Sequence, residues 1–162
     1  MEADFLAAGV LAWRSGLKAA RPYREIVYLE VAATQLLFTL LESLAPLDCY
    51  DPRLEGNTTY GARGGAMFVD KDLYYRAQGY DERFEGWGRE DVEWWNRLSH
   101  HTKIATLPGR LLHLHHVRFD ATHQDFRANH LVYRAIALGI IPPQTGAIGD
   151  PDKYRHVLPR AK

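Results

Sequence analysis

Apolar residues recur at near-helical spacing at Phe5, Leu6, Val10, Leu11 and Trp13, which predicts an amino-terminal helix stopped by Ser15-Gly16. The short segment Leu17 to Ala20 follows, and Arg21-Pro22-Tyr23 is expected to break regular structure. From about Glu30 to Leu44 the apolar spacing and the Ala/Leu content predict a second helix, closed by Pro46. The stretch Asp48 to Arg63, with Pro52, Gly56, Asn57 and Gly61, reads as one long loop. Loops of that size in compact domains are more often functional than idle.

Beyond it, Gly64-Gly65-Ala66-Met67-Phe68-Val69 reads as a buried strand led by a glycine pair. Asp70 or Lys71 opens a short helix through Gln78, and Gly79 ends it. Tyr80 to Trp87 is an aromatic-rich loop, and a helix over Glu90 to Leu98 follows. Lys103 to Thr106 and Arg110 to His113 look like two short strands around the Pro108-Gly109 turn. Asp120 is expected to cap or precede a last helix, roughly Gln124 to Leu138, which Gly139 terminates. Pro142-Pro143 then introduces an extended tail over 140–162. Helical and extended patterns alternate throughout, so the class is α/β.

Length and charge narrow the functions open to such a chain. Its 162 residues make one ordinary domain, 1–162, long enough to bury most of its apolar surface. Twenty basic and twenty acidic side chains balance, which gives no footprint of a nucleic-acid binder. The single cysteine, Cys49, has no internal disulfide partner and reads as a buried or half-buried thiol in a reducing compartment. The greasiest run, Val31 to Leu41, is too short for a membrane span and is interrupted by Thr34 and Gln35. Glu2 and Asp4 replace the basic flank of a signal peptide. The expected location is cytoplasmic, with peripheral membrane contact compatible with a modest surface patch.

Two clusters carry chemistry. Gly86-Trp87-Gly88-Arg89-Glu90-Asp91 makes a tight turn with adjacent carboxylates at the start of a helix, where a general base would be wanted. Leu111-Leu112-His113-Leu114-His115-His116 is a strand ending in imidazoles. Alternation along a regular strand puts His113 and His115 on one face and His116 on the other. His113 and His116 can share an ion only if the strand ends or bends near Leu114; otherwise His113 and His115 are the better pair. Each residue also has a plainer reading. Glu90 and Asp91 suit the dipole of a helix amino terminus, Trp94 and Trp95 suit packing, and Gly64-Gly65 suits a close backbone approach. His100, His101, His123, His130 and His156 read as ordinary polar side chains.

The order of these motifs changes the balance. The Gly64-Gly65 strand, the Lys71-Asp72-Leu73 helix, Gly79-Tyr80-Asp81-Glu82-Arg83-Phe84, Gly86 to Asp91 and the histidine-ended strand together resemble GT-A glycosyltransferases. The pattern is nearest to the galactosyltransferase carboxy-terminal domain and the bacterial family 2 enzymes that share it, over about Gly64 to Arg118. The resemblance implies a partial GT-A-like domain with a short mixed sheet flanked by helices. It further implies that the chain lacks the amino-terminal nucleotide-binding half and its Asp-x-Asp motif.

In activity, the resemblance implies inverting transfer of a sugar from a nucleotide donor, a UDP-sugar, to a hydroxyl of a glycan or saccharide acceptor. Asp91 would be the general base, Glu90 would bind or orient the acceptor, and Trp87 on its mobile loop would contact both sugars. Gly88, Gly64, Gly65 and Arg89 would line the substrates. His116 would bind the metal, with His113 as a second, weaker ligand. Imidazole with carboxylate and phosphate oxygens suits Mn2+ better than calcium, and zinc fits the ligand type too. Arg89 departs from relatives, which often carry glycine there; its guanidinium would suit a donor phosphate or an anionic acceptor. The competing expectation is a carbohydrate- or partner-binding remnant of such an enzyme without turnover, and separately a missing amino-terminal half is an expected partner of the chain as a truncated or split enzyme. A zinc hydrolase is disfavoured, because no His-Glu-x-x-His spacing is present.

Overall fold

The fold was read from a computed structural model, which describes residues 4–43, 46–116 and 123–143. The described residues fall into two compact units, the first within Met1–Asp70 and Thr102–Arg118, the second within Lys71–His101 and Phe119–Lys162.

The first unit holds helices α1 (Asp4–Arg14) and α2 (Val31–Glu42) with six short strands: β1 (Ala19–Arg21), β2 (Glu25–Leu29), β3 (Gly56–Tyr60), β4 (Phe68–Val69), β5 (Ala105–Thr106) and β6 (Arg110–His113). They make two mixed sheets of three strands, ordered β4-β1-β5 and β3-β2-β6. In each, the middle strand runs antiparallel to one neighbour and parallel to the other. The mixed α/β class expected from the motif order is what the chain forms, with the short sheet divided in two.

Both middle strands lie where the sequence pattern predicts none. Pro22 has no N–H to give a ladder, so it ends β1 and forces the chain into a second sheet. Pro108 does the same between β5 and β6, and the two breaks meet where Arg24 N–H donates to Gly109 O at 2.9 Å. β5 and β6 are therefore not a hairpin; each lies parallel to a strand of a different sheet. β2 escapes the period-2 signal because Ile26, Val27 and Leu29 are all buried, as in a strand covered on both faces. The expected loop from Asp48 to Arg63 contains β3, a polar strand of Gly56-Asn57-Thr58-Thr59-Tyr60 whose exposed side chains hide its pairing with β2. The expected strand from Gly64 shortens to Phe68–Val69 and is half-buried rather than buried.

The core of this unit forms where α2 lays Ala33 and Leu37 on Val27 and Leu29 of β2, with Leu54 closing the side. Burying each such leucine stabilises by about 1.5–3 kcal/mol. Arg110 pairs with Glu25 directly across the β2/β6 ladder at 2.6 Å. That guanidinium also covers the Tyr50 ring at 4.5 Å and donates to Cys49 O, which pins the loop holding the buried thiol of Cys49. Its hydrogen bond holds the Glu25 carboxyl below its ordinary range.

The second unit is helical: α3 (Lys71–Arg76), α4 (Glu90–Ser99) and α5 (Gln124–Ala137). Gln78 and Gly79, with φ of 61° and 56°, end the α3 segment in the left-handed region. Trp94 is 1% exposed and packs edge-on against Tyr74, which bears out its reading as a core residue. Asp81 and Arg83 form a buried ion pair within the loop that follows α3. The amino terminus of α5 is capped by His123, whose Nδ1 accepts from Asp125 N–H. The expected cap Asp120 lies outside the described residues, as do the expected tail from 144 onward and Glu2-Ala3. Among the described residues no helix is long and apolar enough to cross a membrane.

Candidate active site

The turn leading into α4 is built from backbone that ordinary residues avoid. Gly86, Gly88 and Arg89 have φ of 67°, 106° and 74°. A Cβ on Gly86 would lie 2.3 Å from Asp125 Oδ2, and one on Gly88 would lie 2.6 Å from Phe126 Cδ2. Both glycines are therefore required by fit as well as by φ. Arg89 adopts the left-handed conformation at the amino-terminal end of α4, which costs about 1–2 kcal/mol for a residue with a Cβ. The guanidinium of Arg89 lies 5.1 Å from the Phe126 ring centroid and 5.9 Å from that of Tyr133, rather than projecting into water.

This turn brings Trp87, Glu90 and Asp91 together. Trp87 is 41% exposed, with its ring tilted on Phe126 at 5.1 Å, so part of its apolar surface is open to a ligand. Asp91, half-buried in the first turn of α4, accepts a hydrogen bond from the Tyr80 hydroxyl at 3.1 Å. Burial first, then the charge of Asp91, pushes the Tyr80 phenol well above its ordinary range, so Tyr80 remains a donor. One oxygen of Asp91 is thus occupied and oriented, while the other is available to a hydroxyl.

Glu90 sits less comfortably. Its Oε2 is buried without a hydrogen-bond partner, and burial raises its carboxyl above the ordinary value. A raised carboxyl means that the folded state holds the proton more tightly than the unfolded chain does. The ionised side chain therefore subtracts stability as pH rises through and above the carboxylate range. Glu90→Gln is expected to melt at a higher temperature than the wild type at pH 7, with the difference shrinking as pH falls through that range. Thermal unfolding of both proteins across pH measures it.

The histidine cluster belongs to the first unit. β6 ends at His113, and the chain leaves strand geometry at Leu114, so the condition for His113 and His116 to approach one another is met. Their ring centroids are 5.1 Å apart. His113 Nδ1 lies 2.9 Å from Leu114 O, and a carbonyl only accepts, so Nδ1 is the donor of this contact. This is the backbone-oriented imidazole typical of metal ligands. Among the described residues no group of three or more His, Cys, Asp or Glu side chains is placed to hold an ion. The residues present thus offer two imidazoles, and an ion there would need ligands from a bound substrate and water.

A pocket of about 490 Å3 opens beside this pair, lined by Tyr28, Leu29, Glu30, Asn57, Leu114, His115 and His116. It lies past the carboxyl ends of the parallel neighbours β2 and β6, the edge at which open α/β sheets receive ligands. Glu30, Tyr28 and Asn57 are missed by sequence reading, since β2 and β3 are missed with them. The apolar run Ile26-Val27-Tyr28-Leu29 ending in an acid is the signal that marks a strand end there. Gly64 and Gly65 do not line this pocket. Gly65, at φ 106°, faces Leu111, where a Cβ would lie 2.6 Å from Cδ2, and Gly64 O accepts from the Tyr23 hydroxyl. Close packing accounts for Gly65.

Residues 45–119 match the family described as the N-terminal domain of galactosyltransferase. The description names the amino-terminal domain of galactosyltransferase, whereas the motif order reads as the carboxy-terminal half. The matched residues include every candidate site position, from Gly64 to His116. No curated protein and no solved structure matches the chain. Over residues 45–119 the chain is therefore similar to a galactosyltransferase domain, which is consistent with a partial fold of the GT-A type.

Proposed function

We propose that this chain is a glycosyltransferase that moves a hexosyl group from a nucleotide sugar, a UDP-sugar, to a hydroxyl of a saccharide acceptor. The observation that carries the reading is the turn at the start of α4, which lies inside the galactosyltransferase match. It holds an oriented Asp91, a partly open Trp87 and Glu90 in one run of backbone. The exposed part of Trp87 would stack on a pyranose face, and Glu90 would accept hydrogen bonds from acceptor hydroxyls. Asp91 would take the proton of the attacking hydroxyl as its oxygen bonds to the anomeric carbon. The bond from that carbon to the diphosphate oxygen breaks on the opposite side, which inverts the centre, and the diphosphate leaves with the electron pair.

His113 and His116 would hold a divalent ion, Mn2+ by ligand type, with any further ligands to be supplied by donor and water. When bound, the ion neutralises charge on the departing diphosphate. The pocket past β2 and β6, lined in part by His116, supports this reading, since a diphosphate bound there would lie beside the imidazoles. The buried free thiol of Cys49 supports a reducing, cytoplasmic setting for the same proposal.

The test is to incubate the chain with UDP-galactose, Mn2+ and a panel of free mono- and disaccharides, reading products by mass spectrometry. One acceptor gaining a hexose while UDP appears in equal amount is expected. UDP release without any hexosylated product, or no turnover at all, contradicts the reading.

A further inference from the structure

Helix α5 carries none of the motifs that point to sugar transfer, yet one of its faces meets the α4 turn almost residue by residue. Phe126, Asn129, His130 and Tyr133 fall at helical spacing on that face. Asn129 is 2% exposed and uses its whole amide on one residue of the turn. Its Nδ2 donates to Glu85 O at 2.9 Å, and its Oδ1 accepts from Glu85 N–H at 3.2 Å. A buried amide that satisfies both backbone groups of a loop residue fixes that residue as a strand partner would.

The next positions are pressed against the same helix. Gly86 and Gly88 leave no room for a Cβ against Asp125 and Phe126, Trp87 lies on the Phe126 ring, and Arg89 covers Phe126 and Tyr133. His130 stacks parallel behind Phe126, with 6.3 Å between centroids. Arg89 is the informative member, because it takes a left-handed backbone that glycine would adopt freely. A strained side chain persists where its contacts over-determine it, and here those contacts are the two rings of α5.

We propose that α5 is a latch for the acceptor turn, with Asn129 and Arg89 as positioning residues that hold Trp87 and Asp91 in place before a saccharide arrives. The inference rests on reading that turn as the acceptor site. A turn fixed in advance leaves less ordering to be done on binding, so loss of the latch falls on the chemical step more than on donor affinity. Neither residue needs to touch substrate for this.

The test uses the full chain labelled with 5-fluorotryptophan, in which the Trp87 fluorine resonance is identified by its loss in Trp87→Phe. Amide exchange over 85–89 is followed in parallel. The variants are Asn129→Asp, which accepts from Glu85 N–H but cannot donate to Glu85 O, and Arg89→Gly, which keeps the backbone and removes the stack. In both, the Trp87 resonance is expected to move or broaden and the Glu85 amide to exchange about tenfold faster or more, with the Trp94 resonance unchanged. A Trp87 line and Glu85 exchange identical to wild type in both variants overturns the latch. Should Asn129→Asp not fold, Arg89→Gly decides alone by the same readouts.

With UDP-galactose and the acceptor found by mass spectrometry, Asn129→Asp is expected to lower kcat about ten- to a hundredfold with KM for the donor little changed. An unchanged kcat overturns the positioning role. The fluorine and exchange readouts need no sugar, so a wild-type chain without transfer would sink the acceptor reading while leaving the latch to be judged by them.

Discussion

Replacing Asp91 by asparagine is expected to lower hexosyl transfer by about 10²- to 10⁴-fold, the usual contribution of a positioned general base. The substitution keeps the side-chain shape and one carbonyl oxygen to accept from Tyr80, so the turn and α4 should remain folded. What it removes is the basic oxygen that would take the acceptor proton. Tyr80 cannot stand in for it, because burial and the Asp91 charge keep its phenol protonated. Tyr80→Phe, by contrast, leaves the carboxylate but frees it to rotate, and a smaller loss is expected. Initial rates for wild type, Asp91→Asn and Tyr80→Phe, with circular dichroism to confirm the fold, measure the effect. An Asp91→Asn rate within a few-fold of wild type would remove Asp91 from the mechanism.

The largest loss of stability is expected at Asp81, a residue of the Gly79 to Phe84 motif that has no direct part in transfer. Its side chain is 0% exposed and that of its partner Arg83 is 2% exposed. Asp81 Oδ1 accepts from Arg83 N–H and Nε at 3.0 and 2.9 Å, and Oδ2 accepts from a terminal nitrogen at 2.5 Å. The same guanidinium donates to Pro142 O, tying the loop to the chain that follows α5. Asp81→Ala takes away the carboxylate that pairs with a buried guanidinium, which should destabilise by about 3–5 kcal/mol. Removing both charges, as in Asp81→Leu with Arg83→Met, should recover most of that loss, since the desolvation cost disappears with the attraction. Urea unfolding followed by tryptophan fluorescence gives both values. A loss under about 1 kcal/mol for the single variant would mean that water reaches the pair.

How far sequence alone could lead differs between the two units. In the second, helix signals and glycine stops sit beside one another, so α3, α4 and α5 were legible to within a few residues. Trp94 was legible as core, and the acidic turn as the place where chemistry would lie. In the first unit β1, β2 and β3 were invisible for separate physical reasons. Pro22 interrupts β1 from β2, β2 is buried on both faces and has no alternation, and β3 is polar because it lies exposed along one side of its sheet. Losing those strands also hid Glu30 and Asn57, since both reach the pocket only through pairing distant in sequence. The two histidine pairings could not be separated from sequence either. The answer depended on where β6 ends, and strand ends are set by partners such as Tyr28 opposite His113.

Arg89 shows a different limit. A departure from glycine beside two carboxylates invites a ligand-binding role on charge alone. Its left-handed backbone and its place over Phe126 and Tyr133, which sequence does not reveal, support the positioning role proposed above. Helix α5 lies beyond the matched residues, so only the fold connects it to the turn.

Calorimetric titration of the purified chain with UDP in Mn2+ buffer, repeated with His116→Ala and with Asp91→Asn, tests the central reading most directly. Binding by the wild type that requires Mn2+, is lost in His116→Ala and persists in Asp91→Asn is the expected result, because it assigns His116 to the donor's metal and Asp91 to the acceptor. No binding of UDP to the wild type, or binding indifferent to Mn2+ and to His116, would contradict it.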